Sequence, residues 1–168
     1  MSAHELSVGR SNEWYTPRYV FDAMGVQFDL VVAHPGLGVV DWVPARRVLT
    51  SESLTTPWTG FMWMNPPFGF RNAIVPWMDR FFAHGNGVAL CPDRTSAPWW
   101  QTYAAKADAI LFVSPKIHFV PGAGATASSP GTGTTLFAAG FLGVSALLNA
   151  TRNGLGLLTQ TQESDHDQ

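Results

Sequence analysis

A series of short apolar runs sets the tightest limit on how this chain folds. Phe28-Asp29-Leu30-Val31-Val32-Ala33, Phe61-Met62-Trp63-Met64, Val88-Ala89-Leu90-Cys91-Pro92 and Ala109 to Ser114 are each too brief for a helix, and glycine, proline or polar residues bound them. Between them lie segments of helical period. Val20, Phe21 and Met24 share one face behind Thr16 and Pro17; Ile74, Met78, Phe81 and Phe82 share another; Trp99, Trp100 and Tyr103 supply a third. Thr16, Asn72 and Ser96 are the expected N-caps, with Pro17 opening the first helix and Pro76 in the first turn of the second. Gly85-Asn86-Gly87 ends the second helix. Strands alternating with helices imply βαβ units and a mainly parallel sheet, an α/β fold in one domain.

Further on, Lys116-Ile117-His118-Phe119-Val120 reads as a short strand, and Leu136 to Phe141 as one returning antiparallel. A helix is expected over about residues 144–155. Between these strands, residues 121–135 are rich in Gly, Ala, Ser and Thr, and so long a small-residue loop within a domain points to function or disorder. The expected organisation is a flexible polar segment over 1–12, a folded domain over 13–155 and a polar tail over 156–168.

In a parallel sheet the carboxyl ends of the strands share one edge, where ligands bind. That edge would carry His34-Pro35-Gly36-Leu37-Gly38 after Ala33, Asn65-Pro66-Pro67-Phe68 after Met64, and Asp93 after Pro92. The glycines permit close backbone approach to a ligand, although alone they read equally well as a strand-ending turn. Glu52 or Asp41 can bond a ribose; singly, each is more simply a solvated acid. The Asn65 turn is more distinctive. Pro66 and Pro67 have no N–H, so the backbone there offers carbonyl acceptors beside one amide side chain and an aromatic ring. Such a turn suits methylation of an amino nitrogen whose lone pair is delocalised into a ring. The Asn65 side-chain oxygen and the Pro66 carbonyl would hold its two hydrogens and localise the lone pair, with Phe68 stacked on the base. Stacking is worth about 1–3 kcal/mol, whereas orienting nucleophile and donor removes about 7–11 kcal/mol, so positioning carries most of the rate.

Composition narrows the remaining classes. The chain has 168 residues, enough for a sizeable core, and is 46% hydrophobic and 13% charged. Its apolar run from Leu136 to Leu148 is broken by glycines and too short to span a bilayer, and no signal peptide is expected at the N-terminus. The single cysteine excludes an internal disulfide, and a cytoplasmic protein is expected. The five histidines show no metal-ligand spacing, so no metal is expected. The formal charge is −2, with Glu163, Asp165 and Asp167 in the tail. Near-neutrality argues for a weak or transient grip on nucleic acid, because tight phosphate contact needs a more basic surface.

With Trp14-Tyr15-Thr16-Pro17, Phe28-Asp29-Leu30, Trp58-x-Gly60-x-x-Trp63 and Asn65-Pro66-Pro67-Phe68 in order, the chain resembles the phage-type DNA N-6-adenine methyltransferases, the Dam-like family of phages and prophages. The similarity runs from about Asn12 to Phe141, through Pro92, Trp99-Trp100 and Ile117-x-Phe119. It implies a class I, Rossmann-like fold, S-adenosylmethionine as methyl donor, and an adenine extruded from DNA as acceptor, since N6 of a paired adenine is occupied in the duplex. By the same resemblance, Tyr15, Thr16 and Pro17 close over the cofactor, Ala33, Gly36 and Gly38 match its loop, Asn65 to Phe68 match the catalytic turn, and Phe119 lines the base pocket. A phage relative of this kind suggests protection from host restriction.

One departure is Val31, where related sequences carry a second acid; Asp29 or Asp41 is the candidate substitute. No segment reads as a separate target-recognition domain, so loose or short-site specificity is expected, with the 121–135 loop, Arg71 and Arg94 as candidate DNA contacts. A dimer placing two sites on DNA is compatible with a domain of this size. Two competing functions remain at this level: methylation of RNA adenine or protein glutamine, which also uses Asn-Pro-Pro turns, and a catalytically silent binding protein, suggested by Val31 and the near-neutral charge.

Overall fold

Side chains that alternate along the central strands divide the core into two layers, one on each face of a single sheet. The computed structural model describes residues 14–67, 72–122 and 131–161. In chain order these form β1 (Trp14–Tyr15), α1 (Arg18–Met24), β2 (Phe28–Val32), β3 (Ala45–Val48), β4 (Met62–Met64), α2 (Val75–His84), β5 (Gly87–Pro92), α3 (Pro98–Ala104), β6 (Ala109–Val113), β7 (Val120–Pro121), β8 (Thr134–Ala139), α4 (Gly140–Arg152) and β9 (Gly156–Gln160). Leu30, Val32, Met62, Met64, Ala89, Cys91, Phe137 and Ala139 pack on one face with Trp77, Met78 and Phe81 of α2 and Trp100 and Tyr103 of α3. Val31, Trp63, Val88, Leu90, Leu111, Leu136 and Ala138 pack on the other with Phe21 and Met24 of α1 and Ala146 and Leu147 of α4. The period of two along each strand produces this sorting.

The sheet has seven strands in the order β3-β2-β4-β5-β8-β6-β9. β3, β2, β4 and β5 run parallel to one another. β8 is antiparallel to both β5 and β6, and β9 is antiparallel to β6. From β2 the chain moves to β3 on one side; it then returns to β4 on the other side of β2 and continues outward to β5. The carboxyl ends of the adjacent strands β2 and β4 therefore flank a topological switch point, where the connections diverge and open a crevice. All of residues 33–61 are described, and the two crossovers they make carry no helix. The alternation of strand and helix expected from sequence thus begins only at β4.

Capping differs from the sequence expectation in all three helices. Pro17, not Thr16, occupies the N-cap of α1, because the Thr16 hydroxyl is engaged elsewhere. Asn72 adopts a left-handed φ of 66° in a turn whose carbonyl accepts from Val75 N–H, so Ile74 precedes α2. Ala97 replaces Ser96 ahead of α3, because a turn from Arg94 to Ala97 moves the start to Pro98. Pro76 does lie in the first turn of α2.

Three segments differ more substantially. Of residues 116–120, only Val120 enters a strand, and β7 pairs with β1 outside the main sheet. α4 begins at Gly140, ahead of the expected 144, since Gly140 takes a φ of 78° that turns β8 directly into the helix. Residues 156–160, expected to open a polar tail, form the edge strand β9, where Leu157 pairs with Phe112 and Leu158 packs against the core. Its half-polar composition matches an edge position, where one side of the strand faces water.

Candidate active site at the carboxyl edge of the sheet

Asn65 follows β4 directly and stands at the switch-point crevice. Its Nδ2 donates to Trp14 O at 3.1 Å and to Thr16 Oγ1 at 3.3 Å. The amide hydrogens thus face the N-terminal strand, and the side-chain oxygen has no partner among the described residues. A carboxamide held by its nitrogen presents its oxygen as a fixed acceptor. Pro66 is buried and Pro67 half-buried, so the backbone that carries the amide is rigid.

The strand that holds Asn65 is itself held twice. Trp42 Nε1 donates to Thr16 O at 2.8 Å, tying residues 14–17 to the segment after the glycine loop. β1 pairs with β7, Trp14 opposite Pro121 and Tyr15 opposite Val120. Three regions distant in sequence therefore close around the carboxyl ends of β2 and β4. Thr16 is 4% exposed, which makes its hydroxyl a structural acceptor as well as a neighbour of the amide.

The glycine loop is set by a second network. Ala33 has φ 55°, a left-handed conformation unusual for alanine and of the sort that clusters at functional sites. Its N–H donates to Ser53 Oγ at 3.2 Å, and His34 N–H donates to Leu49 O at 3.0 Å. Ser53 is fully buried, and its carbonyl accepts from Trp58 Nε1 at 2.7 Å. Arg80 in α2 lies over the Trp58 ring at 4.7 Å and donates to the carbonyls of Leu54 and Thr56. Ser53→Ala should therefore destabilise the protein by about 1–3 kcal/mol, the cost of an unpaired buried N–H at Ala33; urea denaturation measures it, and a change below about 0.5 kcal/mol would remove Ser53 from this network.

Gly36 has φ 108°, and a Cβ added to it, or to Gly38, would meet nothing within 4 Å. Neither glycine is therefore crowded on that side, and the backbone there can be approached. His34 is 5% exposed, with Nδ1 accepting from Gly36 N–H at 3.0 Å. Burial lowers its pKa from the ordinary 6.5. The folded protein resists protonation there while the unfolded chain does not, so this contribution is complete above pH 6.5 and is lost as pH falls below 6.5 through the lower folded-state value. Unfolding temperatures of wild type and His34→Asn between pH 5 and 8 should converge on the acid side, and parallel curves would count against the effect.

A family model for DNA N-6-adenine-methyltransferase (Dam) matches residues 4–139. The chain belongs to that family. No curated protein and no solved structure matches it. The match covers the strands and loops that build the crevice, from β1 to the end of β8, and leaves all of α4 and β9 beyond it.

In this member of the family, Tyr15, Thr16, Pro17, Ala33, Gly36, Gly38, Asn65, Pro66 and Pro67 come together at the carboxyl edge. Asp29 lies apart. It is in the amino half of β2, about 13 Å along the strand from Ala33. Its Oδ2 accepts from Phe61 N–H at 2.9 Å, its Oδ1 faces Arg46 Nε at 3.6 Å, and Gly60 packs against its side chain. The carboxylate thus joins β2 to the start of β4. Asp41 is exposed beside Trp42, on the segment joined to Thr16. Val31 is 2% exposed in the core, so no polar group at that position reaches the crevice from this chain. Phe119, expected to line a base pocket, is 5% exposed and packs in the core layer with Phe21 and Trp63, directly before β7.

Arg94 is exposed, immediately past β5. Beside it, Asp93 N–H donates to Gly133 O at 3.0 Å and the Asp93 carboxylate accepts from Thr135 Oγ1, so Asp93 pins the return of the small-residue loop. Phe68, Arg71 and residues 123–130 of that loop lie outside the described residues. Among the described residues no cluster of three or more His, Cys, Asp or Glu side chains could hold a metal, and no helix is long and apolar enough to cross a membrane. An open cleft of about 440 Å³ between α1, the Ser114-Pro115 turn and the end of α4 contains none of the expected site residues. Trp42 and Ser53 were not expected at the site. Nothing in their local sequence marks them, because each acts through a partner reached by folding.

Proposed function

We propose that this protein is an S-adenosylmethionine-dependent DNA methyltransferase of class I fold that methylates N6 of an adenine extruded from the duplex. The observation that carries the reading is the orientation of Asn65, whose hydrogens are engaged by Trp14 O and Thr16 Oγ1 while its oxygen is left as an acceptor at a switch-point crevice. The four adjacent parallel strands β3, β2, β4 and β5 of this mixed sheet, with loops at their carboxyl edge, support the class I assignment. The open space beside Gly36 and Gly38 fits a nucleoside cofactor approaching the backbone after β2.

S-adenosylmethionine, when bound, supplies an electrophilic methyl group. Asn65 Oδ1 and the Pro66 carbonyl accept the two hydrogens of the adenine amino group and direct its lone pair at that methyl carbon. Residues 15–17 and the loop at Gly36 and Gly38 would hold the cofactor, and the amino nitrogen, once methylated, would give up one proton to solvent. Phe68 is the aromatic neighbour assigned to the base, and Arg71 and Arg94 are assigned to the phosphates. Asp29 is omitted from the cofactor set because its carboxylate serves Phe61 and Arg46. Ribose recognition falls instead to Asp41, which adjoins Trp42, the residue that ties down the strap of residues 14–17 by donating to Thr16 O.

A chain of near-neutral formal charge fits a weak or transient grip on DNA through few phosphate contacts, whose affinity falls only shallowly with salt; short-site recognition and a cytoplasmic setting such as that of a phage-infected cell belong to the same proposal. The test is transfer of labelled methyl from S-adenosylmethionine to unmethylated DNA, RNA and protein, followed by nucleoside analysis. N6-methyladenine in DNA is the expected product. Label confined to RNA or protein would redirect the substrate, and a protein that transfers no methyl group to any of them would overturn the reading.

A further inference from the structure

His34 is the second residue past β2, at the side of the crevice opposite Asn65. Because Gly36 N–H donates to its Nδ1, that atom is an acceptor, and the ring proton of the neutral imidazole sits on Nε2. Nε2 is buried and has no hydrogen-bond partner among the described residues. A dry N–H without an acceptor is costly, and native structures rarely keep one without a use. Pro35 biases His34 to an extended backbone and has no N–H of its own, so Gly36 provides the next backbone donor and fixes the tautomer. Space is open beside that same Gly36. Two of the other unpaired buried atoms, Trp100 Nε1 and Thr151 Oγ1, belong to α3 and α4, away from the ends of β2 and β4.

We infer that His34 is a cofactor-binding residue, donating its Nε2–H to a lone-pair acceptor of S-adenosylmethionine held in the crevice. This rests on the cofactor proposed above. A donor-only nitrogen discriminates among the parts of that molecule: it matches the carboxylate or an acceptor of the nucleoside, and it repels neither, whereas the ammonium and sulfonium groups offer it nothing. In a chain whose β2 carries Val31 in place of an acid, a neutral donor on the following turn provides polar recognition from the same strand end.

The test uses calorimetric binding of S-adenosylhomocysteine and of 5′-methylthioadenosine, which lacks the aminocarboxylate, to wild type, His34→Asn and His34→Gln. Asparagine keeps an oxygen near the Nδ1 position for Gly36 N–H and removes the distal donor; glutamine places an amide N–H farther out. His34→Asn should bind S-adenosylhomocysteine about tenfold or more weakly, and His34→Gln should recover part of the loss. Weakening of both ligands assigns the acceptor to the nucleoside, and weakening of S-adenosylhomocysteine alone assigns it to the carboxylate; either supports the inference. Wild-type affinity in His34→Asn overturns it. In the unaltered protein with nitrogen-15 histidine, S-adenosylhomocysteine should move the His34 Nε2–H resonance downfield, and an unmoved resonance also overturns the inference. If wild type binds neither ligand, the proposed cofactor falls together with it. Binding by wild type that is indifferent to His34 removes this inference alone.

Discussion

Asn65→Ala should lower kcat for DNA methylation by about 10²–10³-fold, the range found when one preorganised polar group is removed from a reacting atom, while leaving the affinity for S-adenosylmethionine unchanged. The effect is large because the amide does two things through one rotamer. Its nitrogen is fixed by Trp14 O and Thr16 Oγ1, and its oxygen is thereby fixed for the substrate. Asn65→Gln retains both atoms but shifts them by about one bond length, and a misplacement of that order costs about 10²-fold. Asn65→Asp retains the acceptor but sets a carboxylate against the Trp14 carbonyl, so the strap should loosen and the rate should fall for a different reason. Single-turnover kinetics with saturating cofactor distinguish the three. An alanine variant that methylates at the wild-type rate would remove Asn65 from the chemistry.

The second large effect concerns stability. Gly143→Ala should destabilise the protein by about 1–3 kcal/mol, although alanine is the better helix former by about 1 kcal/mol. Packing prevails because a Cβ at this position would run into the backbone carbonyl of Gly87, which cannot rotate away, as well as into Ala138. α4 lies against β5 and β8 at this contact, so the helix must lift from the sheet or the strand must bend. Gly38→Ala is the matched control: its added Cβ meets nothing within 4 Å, and its stability should be unchanged. Urea denaturation with equal m-values for the two variants gives the comparison. A stabilised Gly143→Ala would mean that helix propensity outweighs the clash.

Both effects depend on residues that the sequence identifies unequally. Asn65-Pro66-Pro67 is conspicuous because two prolines beside an amide at the end of an apolar run have few other readings. Gly143 is one of several glycines in an apolar stretch, and only the approach of α4 to Gly87 singles it out. The same contrast holds between Ala33, expected in the cofactor loop from the family resemblance, and Ser53, whose hydroxyl fixes Ala33 N–H from twenty residues away. Asp29 shows the converse: named from sequence as a candidate substitute for the acid absent at Val31, it is placed by register in the amino half of β2, where its carboxylate accepts from Phe61 N–H. The helix caps failed for a local reason: start signals fix a helix terminus only to within a residue or two, and Thr16 was drawn away by Asn65.

The sequence by itself determined the kinds of element, the two-sided burial of the central strands, the family motifs and the position of the Asn65 turn. These follow from periodicity and turn chemistry that act within about ten residues of chain. Only the tertiary structure decided the strand order, the switch point between β2 and β4, the edge strand β9, the bonding of Asp29 to Phe61 N–H and the pairing of Asn65 with Trp14 and Thr16 across 51 and 49 residues. Those outcomes depend on which faces pack together and which distant donors are brought within 3.5 Å of an acceptor, and no local pattern encodes that.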